Sequence, residues 1–366
     1  MPPASISFAR GAPSLDIIDV DGLAAAAARA FAEDPAGATA YGTSIGYVPL
    51  RRWIAERHGV DETQVLVTNG SMQADAFLFD ELVSPGDEVV VERPTYDRTL
   101  LALGLRGAKI HAVELESDGI DTTALAQLLA GGVRPALAHI IPTFQNPAGY
   151  TLSLAKREQL LTLAAAHGFT IFEDDPYVSL RFSGETVPSM LSLDQGGHVV
   201  YACSFSKTVC PGIRVGYLVG EAGLIAKIAK RATSTYISPN MVAQAIVHQF
   251  CVSGALDRSI ETVKAALSER AETLGAAIER ELPGARFVRP EGGYFMWVTL
   301  PAGLEAAALV KSCAERGVAV LPGTDFMLDG GTDALRLAYS GVTPAQIEEG
   351  VARIGEAARS LEGAGV

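Results

Sequence analysis

The 366-residue sequence is short of cysteine: it has four, Cys203, Cys210, Cys251 and Cys313, and no C-x-x-C pair among them. That usage excludes a disulfide-stapled secreted scaffold and points to reduced thiols serving as core filler in a cytoplasmic protein. Long apolar runs are missing too. No stretch approaches the roughly 18 residues of a membrane-spanning helix, and residues 1–14 carry no apolar targeting segment. Positive charge is scarce: 29 Lys and Arg against 42 Asp and Glu leave a formal net charge of −13. A cationic footprint for nonspecific nucleic-acid binding is therefore excluded, although one cleft can still gather cations around a small anion. The patterns G-x-x-x-x-G-K-[ST], G-x-G-x-x-G and H-E-x-x-H are absent, so nucleotide-phosphate and zinc-hydrolase readings have no starting point. What is present is a core: 48% hydrophobic and 19% charged residues, over a length that suits two interleaved domains.

The hydrophobic pattern switches repeatedly between a period of two and one of 3.6, with Gly and Pro at the joints. After an extended start, an alanine-rich helix runs to Pro35, and a second helix begins at Pro49 and closes at Gly59. Apolar strands are expected at 65–68, 88–92, 110–115, 136–141, 170–173, 199–202 and 215–219, with helices between most of them. Strands of this kind in alternation with helices predict an α/β fold, a mostly parallel seven-stranded sheet covered by helices on both faces. From about residue 240 long helical patterns precede strands at 294–300, 318–321 and 335–339, which reads as a smaller α+β domain. The expected division is an N-terminal arm and helix over 1–35, a large domain over 36–250 and a small C-terminal domain over 251–366.

Ligands of an open parallel sheet bind at the carboxyl ends of its strands, so the residues just beyond each strand carry the chemistry. Asn69-Gly70-Ser71-Met72 enters a helix, which suits a phosphate or an ordinary Ser N-cap. Ser204, Ser206 and Lys207, followed by Arg214, gather donors for a dianion around one amine. A lysine in an apolar context is costly unless paired or neutralised, and a Schiff base resolves that cost; a surface lysine beside a Ser-rich turn is the plainer alternative. Asp174 with Tyr177 suits the nitrogen and oxygen of one flat ring, or a simple Asp-Pro turn. Asn146 offers an amide from another Pro-containing turn, and Tyr96 a ring to stack or to pack.

The order of these groups is more specific than any one of them. AYGTSIGYVPLR (40–51), VTNGSMQADAF (67–77), ERPTYDR (92–98), IPTFQNPAGYTLS (141–153), FEDDPYVSLRF (172–182), SFSKTVCPGIRVGYLVG (204–220), PEGGYFMW (290–297) and LRLAYS (335–340) follow one another across nearly the whole chain. In this order the chain resembles the fold-type I pyridoxal-phosphate (PLP) enzymes of aminotransferase class I/II. Within them it is most similar to the branch of the 2-aminoadipate aminotransferases and the catalytic domains of MocR-type regulators. The resemblance implies pyridoxal 5′-phosphate as cofactor, held by Lys207 as a Schiff base, and a ping-pong exchange between an L-amino acid and a 2-oxo acid. It implies that Lys207 also moves a proton between the substrate Cα and the cofactor's C4′. Asp174 would meet the pyridine nitrogen, Tyr177 and Asn146 the ring hydroxyl, and Tyr96 the ring face. Gly70, Ser71, Met72, Ser204, Ser206 and Arg214 would take the phosphate, joined by Tyr41 from the neighbouring subunit of a homodimer. Arg336 would clamp the substrate α-carboxylate, with Asn146 and the arm around Gly11 along the substrate.

The pattern departs from the family in a short N-terminal arm and in Tyr150, where a basic residue is expected. Arg10 is a candidate for an acidic substrate tail, or a solvated loop arginine. The alternatives to an aminotransferase are a PLP-dependent lyase, decarboxylase or cyclase on the same scaffold, and the sensing half of a regulator. The last would need a basic DNA-binding segment ahead of the domain, and the chain opens almost at the aminotransferase part.

Overall fold

The computed structural model describes residues 5–362. Its centre is an eight-stranded sheet in the order Val65–Thr68, Gly216–Val219, Val199–Ser204, Thr170–Asp174, Pro135–Ile140, Glu88–Arg93, Lys109–Glu116 and Gly119–Ile120. Neighbours from Val199–Ser204 to Lys109–Glu116 pair in parallel. Gly216–Val219 runs against both of its neighbours. Seven strands match the expected apolar runs; the eighth, Gly119–Ile120, is a two-residue ribbon folded back on Lys109–Glu116 and too short to show a period.

Helices cover both faces because the strands are apolar on both. All residues of Val65–Thr68 and Gly216–Val219 are buried. Helix Ser71–Leu82 turns Ala74, Phe77 and Leu78 onto Leu66, Val89 and Leu218 of one face. Helix Val48–His58 sends Leu50 and Ile54 toward Val65, Val67 and Tyr217 on the other. Pro35 ends the alanine-rich helix Val20–Glu33, as expected, and also starts a short one, Pro35–Thr39, because its ring suits the first helical position and Asp34 caps Gly37 N–H at 2.9 Å.

The C-terminal unit holds a four-stranded antiparallel sheet, Arg286–Phe287, Phe295–Thr299, Ala334–Ala338 and Leu321–Pro322, against helices Ala255–Glu281, Ala306–Glu315 and Pro344–Glu362. The expected strand at 318–321 is two short strands that belong to different sheets. The first, Val318–Ala319, pairs in parallel with Ile6–Ser7 of the N-terminal arm. Phe8 N–H then donates to Ala319 O, and Ala338 N–H donates to Phe8 O, each at 2.8 Å. Ile6 and Phe8 are buried in the same core as Leu335 and Leu337, so the arm is stitched to the C-terminal sheet and runs from it to the mouth of the large sheet. Among the described residues no helix is long and apolar enough to cross a membrane.

Candidate active site

The carboxyl ends of Thr170–Asp174 and Val199–Ser204, the start of helix Ser71–Leu82, the arm and the strand Ala334–Ala338 enclose a cavity of about 330 Å³. Ser71, Met72, Tyr96, Asn146, Asp174, Tyr177, Ser204, Ser206, Lys207, Arg214, Arg336 and Gly11 all line it. Gly70 stands directly behind it. Its φ of +87° is unfavourable for other residues, and an added Cβ would lie 2.1 Å from Arg214 Nη2. Arg214 is itself in the left-handed region, φ +48°, and its Nη1 donates to Ser206 Oγ at 3.0 Å. One guanidinium, two hydroxyls and the free N–H groups of a helix start thus converge on one spot. Tyr41 is the exception: it is 88% exposed and stands outside the cavity of its own chain.

Lys207 lies where Val199–Ser204 gives way to a turn. Its Nζ donates to Gly11 O at 2.8 Å and sits over the rings of Tyr177 and Tyr294, 5.6 and 5.4 Å from their centroids. Burial, reinforced by Arg214 and only partly opposed by Asp174, lowers its pKa to about 8. A lysine so placed gives up its proton more readily than a solvated one.

Asp174 ends its strand with Oδ2 3.4 Å from His139 Nε2, and its buried Oδ1 has no hydrogen-bond partner. A buried carboxylate oxygen left open is costly and marks a place where a donor belongs. Tyr177 is buried beside it, and burial raises its pKa, keeping the phenol a donor. The Arg336 guanidinium carbon lies over the rings of Phe295 and Phe326, 4.4 and 4.6 Å from their centroids. Its Nη1 donates to Asn146 Oδ1 at 3.0 Å and its Nη2 to Ala9 O. All five residues of its strand, Ala334–Ala338, are buried.

Several residues that shape the site went unrecognised in the sequence. Glu92 Oε2 accepts from Ile141 N–H and from Gln145 Nε2, both at 3.1 Å, which fixes the loop presenting Asn146; burial raises the Glu92 pKa to about 8. Tyr294 donates its hydroxyl to Lys207 O at 2.8 Å. Asp75 lines the cavity one turn below Ser71, a position that the i, i+4 spacing of a helix reveals once Ser71 is known to face the ligand. Arg10 reaches the same cavity from the arm and is exposed there, while Tyr150 is half-buried outside it.

An anion cradle, an amine, an open carboxylate oxygen and a flat slot beside Tyr96 therefore occupy one cleft, which fits a phosphorylated pyridine ring. Comparison with known proteins agrees. The family model of aminotransferase class I and II matches residues 5–354. The 2-aminoadipate transaminase of Thermus thermophilus is 35% identical over 364 residues, covering 98% of this chain and 91% of its own. Aromatic-amino-acid aminotransferase 1 of Thermococcus litoralis is 32% identical, with 96% and 87% covered. Among solved structures, alpha-aminoadipate aminotransferase of Thermus thermophilus in complex with N-(5′-phosphopyridoxyl)-L-leucine superposes with a TM-score of 0.93 at 34% identity, over 98% of this chain and 93% of that one.

Proposed function

The chain belongs to the class I and II aminotransferases, and from that membership we propose the part each residue of this cleft plays. It is a pyridoxal 5′-phosphate-dependent aminotransferase whose substrates are amino acids and 2-oxo acids. The observation that carries the assignment of roles is the meeting in one cavity of the Lys207 amine, the open Oδ1 of Asp174 and the guanidinium of Arg336.

Arg214, Ser204, Ser206 and the N–H groups of Gly70–Met72 hold the cofactor phosphate, and the closeness of Arg214 to Gly70 supports this. Asp174 Oδ1 would accept from the pyridine nitrogen, Tyr177 and Asn146 would donate to the ring hydroxyl, and Tyr96 would cover the ring face. When bound, PLP supplies an electron sink for charge developing at the substrate Cα. Lys207 would bind the cofactor covalently, and its freed amine would take the proton from Cα and return it at C4′; a pKa near 8 suits both directions. Arg336 binds the substrate α-carboxylate with two parallel N–H groups, a geometry that lysine cannot copy. Its two phenylalanine neighbours pack against the guanidinium and limit where it can swing. Ala9 and Gly11 turn their carbonyls onto Arg336 and Lys207, so the arm orients both.

A homodimer with shared sites accounts for Tyr41. It is supported by exposed apolar residues, Met72, Ile237 and Val242 among them, which a second subunit would cover. Four free cysteines suit a reducing compartment, the cytoplasm. Incubation of the PLP-loaded protein with a panel of L-amino acids tests the reaction class. Formation of the matching 2-oxo acid, with the amino group recovered on an added 2-oxo acid acceptor, is the expected result; release of ammonia or carbon dioxide instead would identify a lyase or decarboxylase.

A further inference from the structure

The cofactor cleft contains one more ionisable group than the reaction needs. Asp75 lies in the second turn of helix Ser71–Leu82, and both it and Asp174 line the cavity. Each has an Oδ1 that is enclosed and without a hydrogen-bond partner. The remainder of that helix turn is hydrocarbon, with Ala74 and Phe77 buried in the core beneath. Two carboxylates in one poorly solvated cleft repel each other strongly if both are ionised.

The surrounding charges leave the enclosed Oδ1 of Asp75 without a cationic partner. From the Val199–Ser204 side come Lys207, whose own ammonium form is disfavoured, and Arg214, which is committed to Ser206 and the phosphate cradle. At the start of the helix Asp97–Leu105, Arg98 pairs with Asp97 at 3.3 Å, and Tyr96 is a neutral phenol. Arg336 is bonded to Asn146 and Ala9, and Arg10 stands exposed at the mouth. Behind Asp174 stands His139, at 3.4 Å from Oδ2. From helix Ala222–Tyr236, packed alongside, Arg231 pairs with Glu81 farther along. Among the described residues, none of these groups pairs with the enclosed Oδ1 of Asp75.

We propose that Asp75 and Asp174 are a carboxyl pair in which Asp75 carries a proton, leaving Asp174 to accept from the pyridine nitrogen. Asp75 is then a positioning residue that acts through Asp174, without itself reacting. Burial, and secondly the charge on Asp174, push the Asp75 pKa well up, in keeping with this division. The pairing also links cofactor uptake to pH. PLP brings a phosphate to the first turn of the helix that bears Asp75. Ionisation of Asp75 adds a like charge one turn below, and the affinity falls.

The inference rests on the placing of Asp174 opposite the pyridine nitrogen, and the test separates the two. Asp75→Asn keeps the shape but cannot carry the proton; Asp75→Leu fills the space with hydrocarbon. An infrared difference spectrum, wild type minus Asp75→Asn, on the full chain with and without PLP near neutral pH, reads the protonation state whether or not Asp174 meets the pyridine nitrogen. A lost protonated-carboxyl band is expected, and a lost carboxylate band overturns the proposal. PLP titration of the cofactor-stripped chain from about pH 6 to about pH 9 reads the coupling. The ratio of wild-type to Asp75→Asn affinity should fall by about tenfold or more across that range, and Asp75→Leu should behave as Asp75→Asn does. Parallel pH profiles in folded variants would overturn the proposal. So would loss of PLP binding by folded Asp75→Asn at every pH, which would make Asp75 an ionised ligand.

Discussion

Arg336 Nη1 donates to Asn146 Oδ1 at 3.0 Å across 190 residues of sequence. The bond joins the group proposed to hold the substrate carboxylate to the amide proposed to hold the cofactor ring. The bond fixes one end of the guanidinium, so a change at Arg336 bears on how the substrate is oriented at its reacting carbon.

Replacement of Arg336 by Lys keeps the charge but loses the two-pronged fork and the stacking between Phe295 and Phe326. The expected loss is about 10²-fold or more in kcat/KM for both half-reactions, equivalent to roughly 3 kcal/mol of oriented binding. PLP affinity and the visible spectrum of the loaded enzyme should hardly change. Cofactor loss with intact substrate preference would make Arg336 structural.

Lys207 should be the site of covalent attachment, so borohydride reduction followed by peptide mapping should place the pyridoxyl adduct there. The cofactor-stripped chain should also show what this lysine costs the fold. Its folded pKa, near 8, lies below that of an unfolded lysine near 10.4, so the folded state binds fewer protons between these values. The penalty is fully present below about pH 8 and fades as pH rises toward 10.4. Lys207→Met should therefore melt at a higher temperature than wild type near neutral pH, with the gap closing in alkali. An unchanged gap would show that the amine is not the source.

Gly70 is favoured by its positive φ, and an added Cβ, 2.1 Å from Arg214 Nη2, would push that guanidinium aside. Gly70→Ala should destabilise the chain by about 1–3 kcal/mol and weaken PLP binding in the same variant, as Arg214 is pushed from Ser206. Thermal melts and PLP titration together check this. A stability loss with full PLP affinity would detach Arg214 from the phosphate.

Tyr41 tests the dimer. Chains carrying Lys207→Ala and chains carrying Tyr41→Ala, each inactive alone, should regain activity when refolded together, because a hybrid dimer then holds one intact site. A fully active monomer in sedimentation would refute the shared site.

The strand-ending residues Gly70, Asp174, Ser204, Ser206 and Lys207 were legible in the sequence because buried parallel strands are near-continuous apolar runs, and polar residues at their ends stand out against them. The β-to-helix alternation followed from the same contrast, and Pro and Gly set its joints. Tertiary structure decided what no local period encodes. Ala9 and Gly11 act through backbone carbonyls, which carry no side-chain signature, and reach Arg336 and Lys207 only because Ile6–Ser7 pairs with Val318–Ala319. Glu92 and Gln145, on adjoining segments, read as an ordinary strand end and turn until the parallel pairing of their strands brings them to 3.1 Å. Asp75 looked like any polar position of a helix. A 3.6-residue period tells which residues share a face, but only packing decides whether that face meets water, core or a cleft already holding another carboxylate.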